Sequence, residues 1–180
     1  MPEGACRYVG PAFRAHDPEW AFAPSSGEGA RLNGGRFNKP GRNALYLSTT
    51  SEGAINEASQ GGFLPPPMTL VSYHLDVEDL LNTFSKPAAA RYDLPEHELG
   101  GANWRRETTE GRLADSQSLA ERLITEGFAG MIVPSFTGSA PQGARNIVLW
   151  RWSDELPYKV DVHDPNGLLP KDRSSWSSDR

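Results

Sequence analysis

The chain has 180 residues, of which 37% are hydrophobic, so it is long enough for one domain with a core and too short for two. The formal net charge is −5 and no basic run appears, which argues against nucleic acid as the main partner. The single cysteine, Cys6, excludes an internal disulfide and is compatible with a reducing cytoplasm. The sequence shows neither a signal-peptide pattern nor an apolar stretch of about 18 residues, so we expect a soluble, cytoplasmic protein that does not span a membrane.

The stretch from residue 27 to residue 60 combines backbone freedom with fixed positive charge. It contains six glycines and three arginines, which are Gly27, Gly29, Gly34, Gly35, Gly41, Gly53, Arg31, Arg36 and Arg42. Glycine lets the main chain approach a ligand closely, and arginine offers a planar set of donors that stays charged at neutral pH. The combination indicates a site for an anion such as a phosphate.

A strand and a helix are predicted directly after this loop. Apolar residues alternate over 44–48, which favours a strand. Thr49 and Glu52 fit a capping box, so a short helix should follow and end at the glycine pair 61–62, with Glu57 on its flank. The buried face of this helix is predicted to consist of Ala54, Ile55 and Ala58.

The remaining elements are predicted from periodicity and from breaks in it. Strands are expected at 69–77, 130–133, 147–152 and 158–162, and helices at 78–84 and 115–127. Proline and glycine interrupt the pattern over 85–110, so no element is predicted there. The polar tail, 171–180, is expected to be flexible.

Several common types of site are not indicated, because their sequence motifs are absent. The glycines near residue 30 do not give the dinucleotide-binding spacing G-x-G-x-x-G, and the chain contains no phosphate-binding P-loop. Four scattered histidines and one cysteine do not form a metal-binding pattern, so we expect no metal site. Ser135 is not surrounded by the G-x-S-x-G turn of a hydrolase nucleophile.

The order of the short motifs GEGAR, GGRFN, ALYLS, INEAS, MIVPS and RNIVLW resembles the RES-domain toxins of bacterial toxin–antitoxin pairs. The resemblance runs from about residue 8 to about residue 170, and the motifs are specific in combination. The family is named after an arginine, a glutamate and a serine, which match Arg36, Glu57 and Ser135. One departure is Phe37, where the family often has tryptophan.

This resemblance implies a relative of the ADP-ribosyltransferases that attacks NAD as its substrate. Cleavage of the nicotinamide–ribose bond passes through an oxocarbenium-like state that needs negative charge near the anomeric carbon, which Glu57 would supply. Arg36 and Arg31 would clamp the diphosphate. Tyr46 would stack on the nicotinamide ribose or orient it.

The same resemblance completes the predicted site. Ser135 would donate a hydrogen bond to nicotinamide or ribose, and Asn146 is a further candidate of that kind. Arg14 is the nearest match to an early arginine that helps to bind NAD. The predicted catalytic residues are Glu57, Arg36, Tyr46 and Ser135, and the predicted NAD-binding residues are Arg14, Arg31, Arg36, Tyr46, Ser135 and Asn146.

We therefore expect one compact α+β domain over residues 1–170, with a split, mainly antiparallel sheet and flanking helices of the ADP-ribosyltransferase kind. The expected function is a type II toxin that cleaves NAD and transfers ADP-ribose to a protein target. Two alternatives remain: an NAD glycohydrolase or phosphorylase, with water or phosphate as acceptor, and a non-catalytic nucleotide-binding module. The resemblance also implies an Xre-type antitoxin partner that covers the active site.

Overall fold

The computed structural model describes residues 1–59, 64–94, 99, 103–137 and 143–174. The strands in these ranges are β1 (Ala5–His16), β2 (Leu45–Ser48), β3 (Thr69–Asn82), β4 (Gly130–Pro134), β5 (Arg145–Leu149) and β6 (Tyr158–Val162). The helices are α1 (Glu28–Asn33), α2 (Ser51–Ser59), α3 (Lys86–Tyr92), α4 (Trp104–Thr109) and α5 (Asp115–Thr125), with a 3₁₀ turn at Pro18–Trp20.

The strands form a sheet with two limbs, one made of β1, β3 and β6 and the other of β2, β5 and β4. The limbs meet at two narrow junctions: Phe13 of β1 pairs with Ser48 of β2, and the end of β3 pairs with the start of β4. The β3–β4 pairing is parallel, and the other pairings between these six strands are antiparallel. The predicted α+β fold with a split, mainly antiparallel sheet and flanking helices is therefore confirmed.

Alternation along the strands separates two apolar clusters. Tyr73, Leu75 and Val77 of β3 are buried in the first cluster, as the sequence pattern predicted. The second cluster lies on the other face of β4 and β5 and includes residues of α3 and α5. On β2 and β5, Tyr46 pairs with Val148 and Ser48 pairs with Asn146. Paired residues point to the same face of a sheet, so these four side chains share one face, and all of them line the cleft described below.

The helix predicted at 78–84 is wrong, because β3 continues to Asn82. Asp79 adopts a left-handed backbone conformation with φ 58°, and the strand resumes after it. Leu80 and Leu81 then pair with the first residues of β4, and both leucines are fully buried. Burial of both leucines and a ladder of main-chain hydrogen bonds to β4 override the weak local preference for a helix.

The cap of α2 differs from the predicted one. The Gly53 N–H donates to Oγ1 of Thr50 at 3.1 Å, so Thr50 caps the helix instead of Thr49. The predicted end of this helix at 61–62 lies outside the described residues, as do residues 175–180 of the tail. Helices α3 and α4 occupy the range for which no element was predicted. None of the helices that the structure describes is long and apolar enough to cross a membrane.

Candidate functional site

A cleft of about 660 Å³ opens where β1, the loop after α1, β2, α2, α4 and β5 come together. This size is in the range of about 300–1,000 Å³ that is typical of small-molecule sites. The charged and polar side chains that line it include Arg14, Arg36, Tyr46, Glu57, Arg105 and Asn146.

The Glu57 carboxylate is oriented by two side-chain donors from distant parts of the chain. The Asn146 side-chain amide donates to Oε1 of Glu57 at 2.6 Å, and the Ser135 hydroxyl donates to the same oxygen at 3.0 Å. Glu57 is on α2, Asn146 is on β5, and Ser135 directly follows β4. Oγ of Ser135 also lies 3.2 Å from Oγ1 of Thr137. Because hydrogen bonds to a charged group are strong, these donors define where the carboxylate points.

Asn146 is 9% exposed, and its carbonyl atom Oδ1 is buried without a hydrogen-bond partner among the described residues. The orientation of this amide therefore depends on its bond to Glu57. The reverse orientation would place Oδ1 against the Glu57 oxygen, and two acceptors repel each other at that distance. The Asn146 amide is accordingly assigned as a donor to the carboxylate.

Arg36 reaches the same cleft from the loop between α1 and β2. Its guanidinium lies over the ring of Phe136, with Cζ 4.4 Å from the ring centre, and Nη1 donates to the Leu99 carbonyl at 3.5 Å. Burial lowers the pKa of Arg36 from its ordinary value, and the nearby Glu57 carboxylate opposes this shift. Since arginine titrates far above neutral pH, the side chain remains a cation.

Tyr46 supports the Arg36 loop through its hydroxyl group. The Phe37 N–H donates to this hydroxyl at 3.0 Å, and the hydroxyl donates to Oδ1 of Asn38 at 2.7 Å. Burial raises the pKa of Tyr46 well above its ordinary value. A Cβ atom on Gly35 would lie 2.5 Å from the Tyr46 hydroxyl oxygen, so this close approach requires glycine. The Tyr46 ring lines the cleft while its hydroxyl is engaged by the loop.

Arg14 and Arg31, both predicted to bind NAD, lie in different environments. Arg14 lines the cleft from β1, and its Nη1 donates to the carbonyls of Pro24 and Ser26 at 2.9 and 2.8 Å. Burial lowers the pKa of Arg14 from its ordinary value. Arg31 instead pairs with Glu28 on α1, with Nε 2.7 Å from Oε2, and is not among the described residues that line the cleft. The structure thus brings Arg14 and Arg36 to one cavity and leaves Arg31 outside it.

Trp104, Arg105 and Phe136 line the cleft although sequence reasoning did not select them. The Arg105 guanidinium lies 5.2 Å from the centre of the Trp104 ring, and its charge contributes to the lowered pKa of Arg36. Trp104 and Arg105 belong to α4, in the range whose pattern predicted no element. Phe136 directly follows Ser135, and this adjacency is the signal that could have identified it.

The described residues contain no group of three or more histidine, cysteine, aspartate or glutamate side chains that could hold a metal ion. The chemical groups that this part of the chain offers in the cleft are arginine guanidinium groups, one carboxylate, aromatic rings and neutral hydrogen-bonding groups.

Comparison with known sequences places these residues in a family. The profile of the RES domain matches residues 11–172. The chain belongs to the RES domain family. Its arginine, glutamate and serine matches, Arg36, Glu57 and Ser135, converge in the structure: Ser135 donates to Glu57, and Arg36 lines the same cleft as Glu57. No curated protein matches the chain.

The fold of this RES domain is similar to that of a chain in the crystal structure of the M. tuberculosis MbcT–MbcA toxin–antitoxin complex. The TM-score is 0.61, the sequence identity is 21%, and the match covers 89% of this chain and 85% of that chain. At this level of identity the similarity shows a shared fold, and the site must be interpreted from its own residues.

Proposed function

We propose that this RES domain is the toxin of a type II toxin–antitoxin pair, and that it binds NAD, cleaves the nicotinamide–ribose bond and transfers ADP-ribose to an acceptor. The observation that carries the proposal is the Glu57 carboxylate, oriented by Asn146 and Ser135, in the cleft that Arg14 and Arg36 also line. Membership of the RES family supports it. The similar crystal structure is that of a toxin–antitoxin complex, which supports an antitoxin partner for this chain.

The charges of the cleft suit an anionic dinucleotide. Among the described residues that line it, Arg14, Arg36 and Arg105 are cations and Glu57 is a carboxylate. The whole chain carries a formal net charge of −5, so this cleft is a local positive region of an acidic protein. Arginine donors match the oxygens of a diphosphate, and Phe136 and Trp104 add aromatic surface for a base or a nicotinamide ring.

The chemistry assigned to Glu57 follows from the charge of the leaving group. When the bond from ribose C1 to nicotinamide breaks, its electron pair stays on the nicotinamide nitrogen and neutralises the pyridinium charge. Positive charge then develops at C1 and the ring oxygen, and the Glu57 carboxylate stabilises it. The leaving group departs as a neutral molecule, so the site needs no general acid.

The acceptor completes the reaction. Its nucleophilic atom forms a bond to C1 and then loses a proton to solvent or to a base. We assign this role to a side chain of a target protein, which gives mono-ADP-ribosylation. Water or phosphate as acceptor would instead give an NAD-depleting glycohydrolase or phosphorylase. An Xre-type antitoxin that covers the cleft is the proposed regulator.

The test follows NAD that carries a label on its adenylate phosphate, with wild type, Glu57→Gln and Glu52→Gln, with and without cell extract. Glu52 is an exposed carboxylate on the same helix, so its variant is the matched control. Labelled protein that forms with wild type and Glu52→Gln, but not with Glu57→Gln, would establish the transferase. Labelled ADP-ribose or its phosphate without labelled protein would establish depletion. NAD that binds but is never cleaved would leave only the nucleotide-binding module.

A further inference from the structure

The loop that carries Arg36 is held through its main-chain carbonyl groups. Three successive carbonyls, those of Gly35, Arg36 and Phe37, each accept a hydrogen bond from a side chain elsewhere in the chain, and the Asn38 carbonyl lies close to one of the same donors. Gln117 Nε2 donates to the Gly35 carbonyl at 2.9 Å and lies 3.3 Å from that of Asn38, Ser116 Oγ donates to that of Arg36 at 2.6 Å, and Trp150 Nε1 donates to that of Phe37 at 2.8 Å.

Two of these donors are neighbours in the first turn of α5, and both are buried. Ser116 is 8% exposed and Gln117 is 1% exposed. Both polar atoms of the Gln117 amide form hydrogen bonds: Oε1 accepts from the Ala114 N–H at 3.2 Å, and Nε2 also donates to Thr108 Oγ1 at 3.0 Å. Thr108 belongs to α4, so Gln117 links the Arg36 loop to the helix that carries Arg105. A buried amide with this many partners is held in one position, because leaving any of its polar atoms without a hydrogen bond would cost free energy.

We infer that Ser116 and Gln117 are positioning residues for Arg36. Arg36 lies in a turn that main-chain hydrogen bonds between Gly35 and Asn38 close. The side-chain donors of α5 connect this turn to the rest of the domain and so define where it lies. The inference rests on the proposed function, in which the Arg36 guanidinium binds the diphosphate of NAD. A guanidinium that shifts by about 1 Å loses bidentate geometry, and displacements of that size reduce activity by up to about a hundredfold.

The first test compares Ser116→Ala with Thr83→Val. The Thr83 hydroxyl also donates to a main-chain carbonyl, that of Ile132 at 2.8 Å, but it does not line the cleft, so it is the matched control. We expect Ser116→Ala to raise KM for NAD about tenfold with little change in kcat, because a lost clamp weakens ground state and transition state alike. Thr83→Val should leave KM unchanged. In an Arg36→Ala background Ser116→Ala should add little, because its effect passes through Arg36.

Gln117→Glu provides a second variant with a pH signature. The substituted carboxyl keeps an acceptor for the Ala114 N–H, but it donates to the loop only in its neutral form. KM for NAD should therefore be close to the wild-type value at acidic pH and should rise as the introduced carboxyl ionises. A variant that is merely destabilised would show reduced active protein and no such rise in KM.

Hydrogen exchange of the amides in 34–38, measured without ligand, separates this inference from the proposed function. Faster exchange in Ser116→Ala, and in Gln117→Glu at high pH, would support the inference whether or not the wild-type protein binds NAD. Failure of the wild-type protein to bind NAD would refute the proposed function and leave this result intact. Unchanged exchange would overturn the inference. If the wild-type protein cleaves NAD, an unchanged KM in Ser116→Ala and Gln117→Glu would also overturn the inference. A rise in KM for Ser116→Ala that is just as large in the Arg36→Ala background would overturn it too.

Discussion

Asn146 donates its side-chain amide to Oε1 of Glu57 at 2.6 Å, and the two residues are 89 positions apart in the sequence. The bond joins β5 to α2 at the wall of the cleft, and Asn146 is 9% exposed. A carboxylate on a short helix is thus oriented by a strand that the chain forms much later. In the proposed reaction this bond sets the direction from which Glu57 approaches the developing charge.

Asn146→Ala should lower kcat for NAD cleavage by about ten- to a hundredfold, because a hydrogen bond to a charged group contributes about 1.5–3 kcal/mol. The measurement is the steady-state rate of nicotinamide release at saturating NAD. Asn33→Ala, which removes an exposed asparagine on α1, is the control and should retain the wild-type rate. An Asn146→Ala enzyme with wild-type kcat would show that Glu57 does not depend on this donor.

Arg14→Gln and Arg31→Gln should differ in NAD affinity, although both remove one arginine near the same loop. Arg14 lines the cleft, so its loss should raise the Kd for NAD about tenfold and reduce the salt dependence of binding. Arg31 pairs with Glu28 away from the cleft lining, so its loss should change Kd less than about twofold. Calorimetric titration with NAD at two ionic strengths measures both values. Equal losses in the two variants would contradict the division made by the structure.

Gly35→Ala and Gly29→Ala should have opposite effects on stability. A Cβ on Gly35 would meet the Tyr46 hydroxyl at 2.5 Å and Asn38 Oδ1 at 2.6 Å, so we expect a loss of about 1–3 kcal/mol in the free energy of unfolding. A Cβ on Gly29, in α1, meets nothing within 4 Å, and alanine there should add about 0.5–1 kcal/mol. Urea unfolding measures both changes. A neutral Gly35→Ala variant would show that the loop relaxes without cost.

Tyr46→Phe should make the free energy of unfolding decline less steeply with pH above about pH 10. Burial raises the pKa of Tyr46, and it raises the pKa of Tyr73 to about 12. A tyrosine in the unfolded chain ionises near pH 10, so between that pH and the native pKa the folded state binds more protons. The contribution of each buried tyrosine to the free energy of unfolding is therefore fully present below about pH 10. Above that pH, up to the native pKa, the free energy of unfolding declines by about 1.4 kcal/mol per pH unit for each such group.

Urea unfolding of wild type and Tyr46→Phe between about pH 9 and pH 11 checks this slope. The variant should be less stable than wild type at neutral pH, because Phe37 and Asn38 lose their hydroxyl partner. Its stability should nevertheless decline less steeply above pH 10. Parallel curves would show that Tyr46 ionises in the folded protein as easily as in the unfolded chain. Tyr73→Phe should flatten the curve in the same direction.

Local sequence patterns determined much of the architecture. Alternation of Tyr73, Leu75 and Val77 predicted a strand with one buried face, and periodicity predicted the helix that the structure places at Asp115–Thr125. Such patterns are readable because a strand or helix buries one side at a fixed repeat. The motif order also identified the RES family and selected Arg36, Glu57 and Ser135, which converge in the structure.

Tertiary structure alone decided which donors reach which groups. It placed Asn146 against Glu57, paired Arg31 with Glu28, and brought Arg105 of α4 to the cleft. It also extended β3 through Asp79, where a parallel partner strand supplies the missing hydrogen bonds. These outcomes depend on contacts between residues that are distant in sequence or on competition between nearby partners. Local periodicity carries no information about either, because it reports which face of an element is buried and not what that face meets.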